Sequence, residues 1–149
     1  MKRVYSLCVI LLLTASTTLM ADNDRNAATA ENLPATSREF LNTHFRNTHI
    51  SYVEIDKYLF WISGYEVILV DGTEVNFARN GEWTEVERKK EAVPAVIIPK
   101  KITAYIKENF PQQMVLAIEK EFKKWEIKLN NGMELSFNKK EEIIEVDAD

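Results

Sequence analysis

YEVILVDGTEVNFARNGEWTEVE, residues 65–87, is the stretch whose reading decides the fold. Alternation puts Tyr65, Val67 and Leu69 on one face of a strand, and Thr73, Val75 and Phe77 on one face of the next. A two-residue Asp71-Gly72 loop would pair Val70 with Thr73 and throw these apolar sets onto opposite faces. A three-residue loop, Val70-Asp71-Gly72, pairs Leu69 with Thr73, Val67 with Val75 and Tyr65 with Phe77. The phase of the faces therefore selects the longer loop, with Gly72 left-handed and a bulge beside it. Arg79-Asn80-Gly81 obeys the same rule and pairs Phe77 with Trp83, which completes a three-strand meander.

A plainer copy runs from Trp125 to Asp147. Trp125, Ile127 and Leu129 face Met133, Leu135 and Phe137 across Asn130-Asn131-Gly132, and Ile143 takes the place of Trp83. Gly72, Gly81 and Gly132 are thus structural turn glycines, with Gly72 and Gly132 expected in the left-handed region. Upstream of each meander lies a strand, Ile50–Asp56 or Val115–Glu119. Before each strand lies a short amphipathic helix opened by proline, carrying Ser37, Phe40, Leu41 and Phe45 or Ile102, Tyr105, Ile106 and Phe110 on one face. Pro34 and Pro99, Phe45 and Phe110, and Glu54 and Glu119 are each 65 apart, whereas Tyr65 and Trp125, Gly72 and Gly132, and Phe77 and Phe137 are 60 apart. The sequence reads as a tandem repeat whose first copy holds five extra residues within Lys57–Gly64, an aromatic-rich excursion. The expected fold is α+β: helix, strand and three-strand meander twice over, one antiparallel sheet, and both helices packed on one face.

The chain has 149 residues. Met1-Lys2-Arg3, an apolar run from Val4 to Leu13 and small residues to Ala21 describe a secretory signal peptide, residues 1–21, too short in its apolar part for a stable membrane anchor. Residues 22–32 read as a flexible lead, and 33–149 as a single domain of two repeats, 33–87 and 98–147, joined by the charged connection 88–97. Cleavage would change the formal charge from −4 to −6 by removing Lys2 and Arg3. That acidity argues against nucleic acid or an anionic membrane as partner, and no membrane insertion is expected after cleavage. Cys8 is the one cysteine and leaves with the signal, so disulfides, thiolate chemistry and cysteine metal sites are excluded from the mature chain.

The proline-opened helix, the Phe110-Pro111 helix end and the pattern Y-E-V-x-L-x-D-G-x-E-V-x-F-x-x-x-G-x-W at Tyr65–Trp83 resemble the PepSY-like proteins. These are small exported Bacteroidetes proteins described as resembling β-lactamase-inhibitor protein. The resemblance spans about Leu33 to Val146. Arg46 replaces the proline that follows the first helix in that pattern, and Glu141 and Ile143 replace the last Gly and Trp in the second copy. The resemblance implies the tandem α+β layout, no established catalytic residues, and a role in binding or inhibiting another exported protein.

Nothing in the residues suggests catalysis. His44 and His49 are five apart, a poor metal spacing, and His44 reads as a half-buried packing residue. No Ser-His-Asp motif, thiol or glycine-rich phosphate loop is present, so no catalytic residue, metal or cofactor is assigned. Glu54 and Asp56 share a strand face and read as solvated acids. Trp83 and Trp125 continue the inward sets and read as core. The candidate partner-binding residues are Tyr58, Phe60 and Trp61, in the excursion that only the first copy has; large aromatics are favoured interface anchors. The expected function is a non-catalytic binding or inhibitory module, periplasmic or secreted, acting on an exported protein or peptide. A structural or chaperone-like accessory of an envelope complex is the alternative, and a hydrolase ranks below both.

Overall fold

The computed structural model describes residues 29–148. The signal peptide and most of the lead lie outside the described residues. Where the lead ends, Ala30–Asn32 form a turn of 3-10 helix rather than loose chain. Then follow helix α1 (Ala35–His44) and strands β1 (Ile50–Tyr58), β2 (Trp61–Leu69), β3 (Glu74–Ala78) and β4 (Trp83–Glu87). Helix α2 (Lys100–Asn109) follows, with β5 (Val115–Lys120), β6 (Lys124–Leu129), β7 (Met133–Asn138) and β8 (Ile143–Ala148). The eight strands among the described residues form one antiparallel sheet in sequence order.

The turns follow the face argument. Val67 pairs with Val75 and Tyr65 with Phe77, and Phe77 pairs with Trp83. In the second half Ile127 pairs with Leu135, Trp125 with Phe137 and Phe137 with Ile143. Gly72, Gly81 and Gly132 have φ of 82°, 86° and 87°. At each the preceding Asp or Asn side chain accepts the N–H of the residue after the glycine, as in Asp71 Oδ1 to Thr73 N at 2.9 Å, so the side chain stabilises the turn that the backbone needs. The β7–β8 turn places Glu141 at φ 65°.

Every second residue of each strand faces the helices. One row runs Val53, Val67, Val75, Val86, Ile118, Ile127, Leu135 and Val146, neighbour to neighbour across the whole sheet. All but the edge residue Val146 are buried. Phe40 of α1 packs edge-on to Phe77 at 5.9 Å and stacks on Trp83 at 5.8 Å; Tyr105 of α2 meets Phe137 edge-on at 5.4 Å. Leu41, Phe45, Ile102 and Ile106 complete this core. Pro34 and Pro99 stand one place before the helices, not inside their first turns. Their carbonyls accept the N–H groups of Arg38 and Thr103 at 3.1 and 2.9 Å.

Two expectations are corrected. Lys57–Gly64 is no irregular excursion: it belongs to β1 and β2, which run as one long hairpin turning at Leu59-Phe60. The connection 88–97, whose charge run reads from the sequence as a solvated loop, is only partly one. Arg88 donates to Thr73 Oγ1 at 3.2 Å, to Ala92 O at 3.0 Å and to Asp71 Oδ2 at 3.3 Å, tying the connection to the β2–β3 turn. Burial pushes the Asp71 carboxyl up, but the hydrogen bonds from Thr73 and the Arg88 guanidinium together hold it below the usual carboxylate range.

Candidate functional site

The β1–β2 hairpin outruns the sheet. The last β2–β3 pair is Gly64 with Ala78, while β1 and β2 continue to Tyr58 opposite Trp61, so among the described residues the tip has no third strand beside it. Tyr58, Leu59, Phe60 and Trp61 are 71%, 74%, 95% and 61% exposed. The sequence-derived candidates Tyr58, Phe60 and Trp61 are therefore brought together on one tip, with Leu59 added to them. Strand alternation carries Tyr58 onto the side of the sheet that Glu54 and Asp56 occupy. Leu59 has φ 56°, a left-handed conformation that glycine normally takes and that costs a leucine about 1–2 kcal/mol. The turn thus keeps a strained, solvent-facing leucine where a glycine would fold more easily. Phe122, 90% exposed in the β5–β6 turn, went unnoticed in the sequence, where its only signal is a lone aromatic among Glu121, Lys123 and Lys124.

The face of the sheet away from the helices is acidic to a degree that alternation alone does not reveal. Pairing aligns Glu54, Glu66, Asn76, Glu85, Glu119, Glu126, Ser136 and Glu145 in one row, one residue from each strand. The adjacent row reads Tyr52, Ile68, Glu74, Glu87, Ala117, Lys128, Glu134 and Asp147. The expectation that Glu54 and Asp56 are merely solvated acids misses this order: Glu54 is the end of a row of six carboxylates, and only strand register brings them into line. Over β4–β8 the two rows line a shallow trough of about 210 Å³.

Like charges directly opposite one another across strands destabilise a sheet. Burial, and then the carboxylates of Glu85, Glu126 and Glu121, push the Glu119 carboxyl above its ordinary value of 4.5. The native state therefore takes up this proton at a higher pH than the unfolded chain does. Stability is expected to rise as pH falls from neutral through the folded-state pKa, and the gain is complete below about 4.5. Glu119→Gln should stabilise the protein by about 0.2–1 kcal/mol at pH 7 and lose that advantage below the window. Urea melts of both proteins at pH 7 and pH 4 check this; a destabilised variant at pH 7 would contradict it.

Among the described residues, one group of carboxylates is close enough to share a cation: Glu119, Glu121 and Glu126, with one oxygen from each within 4.8 Å of the others. It already has a counterion. The Lys124 ammonium bridges Glu126 and, at 3.7 Å, Glu121, and the hydrogen bond to Glu126 outweighs desolvation to raise its pKa.

On the helix side, Trp83 and Trp125 lie 6.2 Å apart and pack partly buried against the core, with Lys120 over Trp83 at 5.0 Å and Lys139 over Trp125 at 5.5 Å. His44 is half-buried with its ring 4.6 Å from that of Phe40, and burial lowers its pKa.

The PepSY-like family profile, described as "Putative beta-lactamase-inhibitor-like, PepSY-like", matches residues 63–145. Three crystal structures from Bacteroides are similar throughout. A Bacteroides thetaiotaomicron protein described as a "putative calcium-regulated periplasmic protein" is 33% identical with TM-score 0.78, the match covering 82% of this chain and 95% of that one. Two Bacteroides vulgatus proteins, both described as periplasmic, are 31% and 34% identical with TM-scores 0.79 and 0.77. Those matches cover 85% and 80% of this chain, and 99% and 95% of theirs. No curated protein matches the chain. No helix among the described residues is long and apolar enough to cross a membrane.

Proposed function

This chain belongs to the PepSY-like family, and on that premise we propose that it is an exported, non-catalytic module that binds another periplasmic or extracellular protein through the β1–β2 hairpin tip. One observation carries the reading: four consecutive large side chains, Tyr58 to Trp61, are each more than 60% exposed. Contiguous exposed apolar surface of this kind marks interaction sites, and aromatic anchors dominate binding energy at interfaces. We also read the two halves as copies of one unit, since α1 and α2 start 65 residues apart and both span ten residues. On that reading the extended hairpin is an elaboration of the first copy alone.

The test is recovery of a stoichiometric partner from periplasmic extract by the mature protein and by Phe60→Ala/Trp61→Ala. The double variant should keep its stability and lose the partner by at least about tenfold, since interface anchors are worth about 2 kcal/mol or more each. Equal recovery by both proteins would dismiss the tip as the interface.

A second reading, calcium response, is favoured by the description of the B. thetaiotaomicron relative and by the Glu119, Glu121 and Glu126 oxygens. Calcium takes six to eight oxygen ligands, and here it would have to displace the Lys124 ammonium from Glu121 and Glu126. If the trio is a calcium site, Lys124→Ala should show a larger calcium-dependent rise in Tm than the wild type, because a ligand of the native state stabilises in proportion to its affinity. Identical calcium responses in the two proteins would remove the trio from consideration.

A further inference from the structure

We infer that the open face of the sheet is a docking surface for an extended, lysine- or arginine-rich segment of the partner protein, laid across the strands along the row from Glu54 to Glu145. The inference rests on the reading of the chain as a partner-binding module, and it adds the chemistry of the partner to it.

Charge supports this occupant first. The two open-face rows hold ten carboxylates and one lysine, and the neighbouring Lys89 and Lys124 pair with Glu74 and Glu126 at their margins. With both of those lysines counted the face carries seven net negative charges. Without Lys2 and Arg3 of the expected signal peptide the chain carries six, so the rest of the mature chain is net positive by one. The acidity is thus a property of this face and not of the overall composition. A second copy of the chain would bring the same charge against it, which costs energy, whereas a cationic partner relieves the repulsion that already burdens Glu119.

Spacing supports an extended segment. Neighbouring strands lie about 4.8 Å apart, so eight strands set the ends of the row about 34 Å apart. Its six carboxylates, on β1, β2, β4, β5, β6 and β8, stand one or two strand widths apart, about 4.8 or 9.6 Å, a range that long basic side chains about 6.8 Å apart on one face of an extended chain straddle. A segment of about ten residues with a base at every second position therefore spans the row. Tyr58 stands on the same side at one end of this face, which makes the hairpin tip and the row a single continuous surface.

The experiment uses the mature protein and a fluorescein-labelled peptide of about ten alternating lysines and threonines, with binding followed by fluorescence anisotropy at several salt concentrations. Its glutamate–threonine counterpart is the control ligand. Wild type is expected to bind the basic peptide saturably, more weakly as salt rises, and not to bind the acidic one. Glu85→Gln/Glu119→Gln/Glu126→Gln should weaken binding by about tenfold or more, since three charge pairs are lost together. Its Tm, expected to rise, excludes unfolding as the cause. Glu31→Gln/Glu39→Gln/Glu108→Gln, which removes three exposed carboxylates from elsewhere on the protein, should leave the affinity unchanged. No saturable binding, or equal affinity of the wild type and the row variant, overturns the inference, as does equal weakening by the Glu31/Glu39/Glu108 variant. Loss of the peptide in the tip variant with retention in the row variant overturns it too. Unbound peptide together with salt-sensitive self-association of the wild type would assign the face to a second copy instead. The reading of the hairpin tip fails separately, through undiminished partner recovery by Phe60→Ala/Trp61→Ala.

Discussion

Phe137→Ala is expected to cost about 3–5 kcal/mol of folding free energy, the range for truncating a buried phenylalanine. Phe137 is fully buried. It sits on the helix side of β7, paired with Trp125 of β6 and Ile143 of β8, with the ring of Tyr105 edge-on at 5.4 Å. Alanine there would remove the ring that joins α2 to the sheet and leave a cavity walled by strands that cannot close in. Phe60→Ala, at a residue 95% exposed, should change stability by less than about 0.5 kcal/mol. Urea denaturation of the two variants sets these opposite fates side by side. Similar losses for both would mean that the hairpin tip belongs to the core and is not held out for a partner.

The second large effect concerns two glycines with the same backbone and different surroundings. Gly81 and Gly132 have φ of 86° and 87°. A Cβ on Gly132 would meet nothing within 4 Å, so Gly132→Ala is expected to cost only the left-handed strain, about 1–2 kcal/mol. A Cβ on Gly81 would lie 2.6 Å from Pro34 Cβ and 3.1 Å from Ser37 Oγ. Ser37 is itself fixed there, buried and donating to the Gly81 carbonyl at 3.0 Å. Gly81→Ala must therefore push the start of α1 off the sheet, and about 3 kcal/mol or more is expected, because overpacking adds its own 1–3 kcal/mol. The β7–β8 turn makes the contrast concrete. There Glu141 holds φ 65°, and its carboxylate accepts the Lys101 N–H of α2 at 3.2 Å. One helix start packs on a bare glycine; the other receives a carboxylate at its positive end. Equal costs for the two alanine variants, read from denaturant midpoints, would contradict this packing.

The turns were legible because phase is a strong constraint. A one-residue slip would have sent Val67 and Val75 to opposite sides, so the loop at Val70-Asp71-Gly72 could be counted from sequence alone. The helices and the inward residues Leu41, Ile102, Ile106 and Phe137 followed from the same periodicities. The long hairpin was less legible because Gly64 breaks the alternation just where β3 ends, and a register shift between Asp56 and Lys57 moves the pairing by one. Leu59 gave no signal at all: a turn normally announces itself by glycine, asparagine or aspartate. The acidic row was out of reach for a different reason. Hairpin rules align β1 to β4 and β5 to β8, but Glu85 meets Glu119 only through the β4–β5 pairing. Those strands are separated by the whole connection and α2, and no local rule sets their register. Glu54 alone therefore looked like an ordinary wet acid.

The hairpin tip is the surface proposed to meet a partner. Its most direct test is site-specific photocrosslinking in the periplasm, with benzoylphenylalanine replacing Phe60 in one strain and Glu39, on the exposed side of α1, in another. The expected result is a discrete adduct from position 60 only, suppressed by excess unlabelled wild-type protein and not by Phe60→Ala/Trp61→Ala. No adduct from position 60, or the same adducts from both positions, would contradict the account.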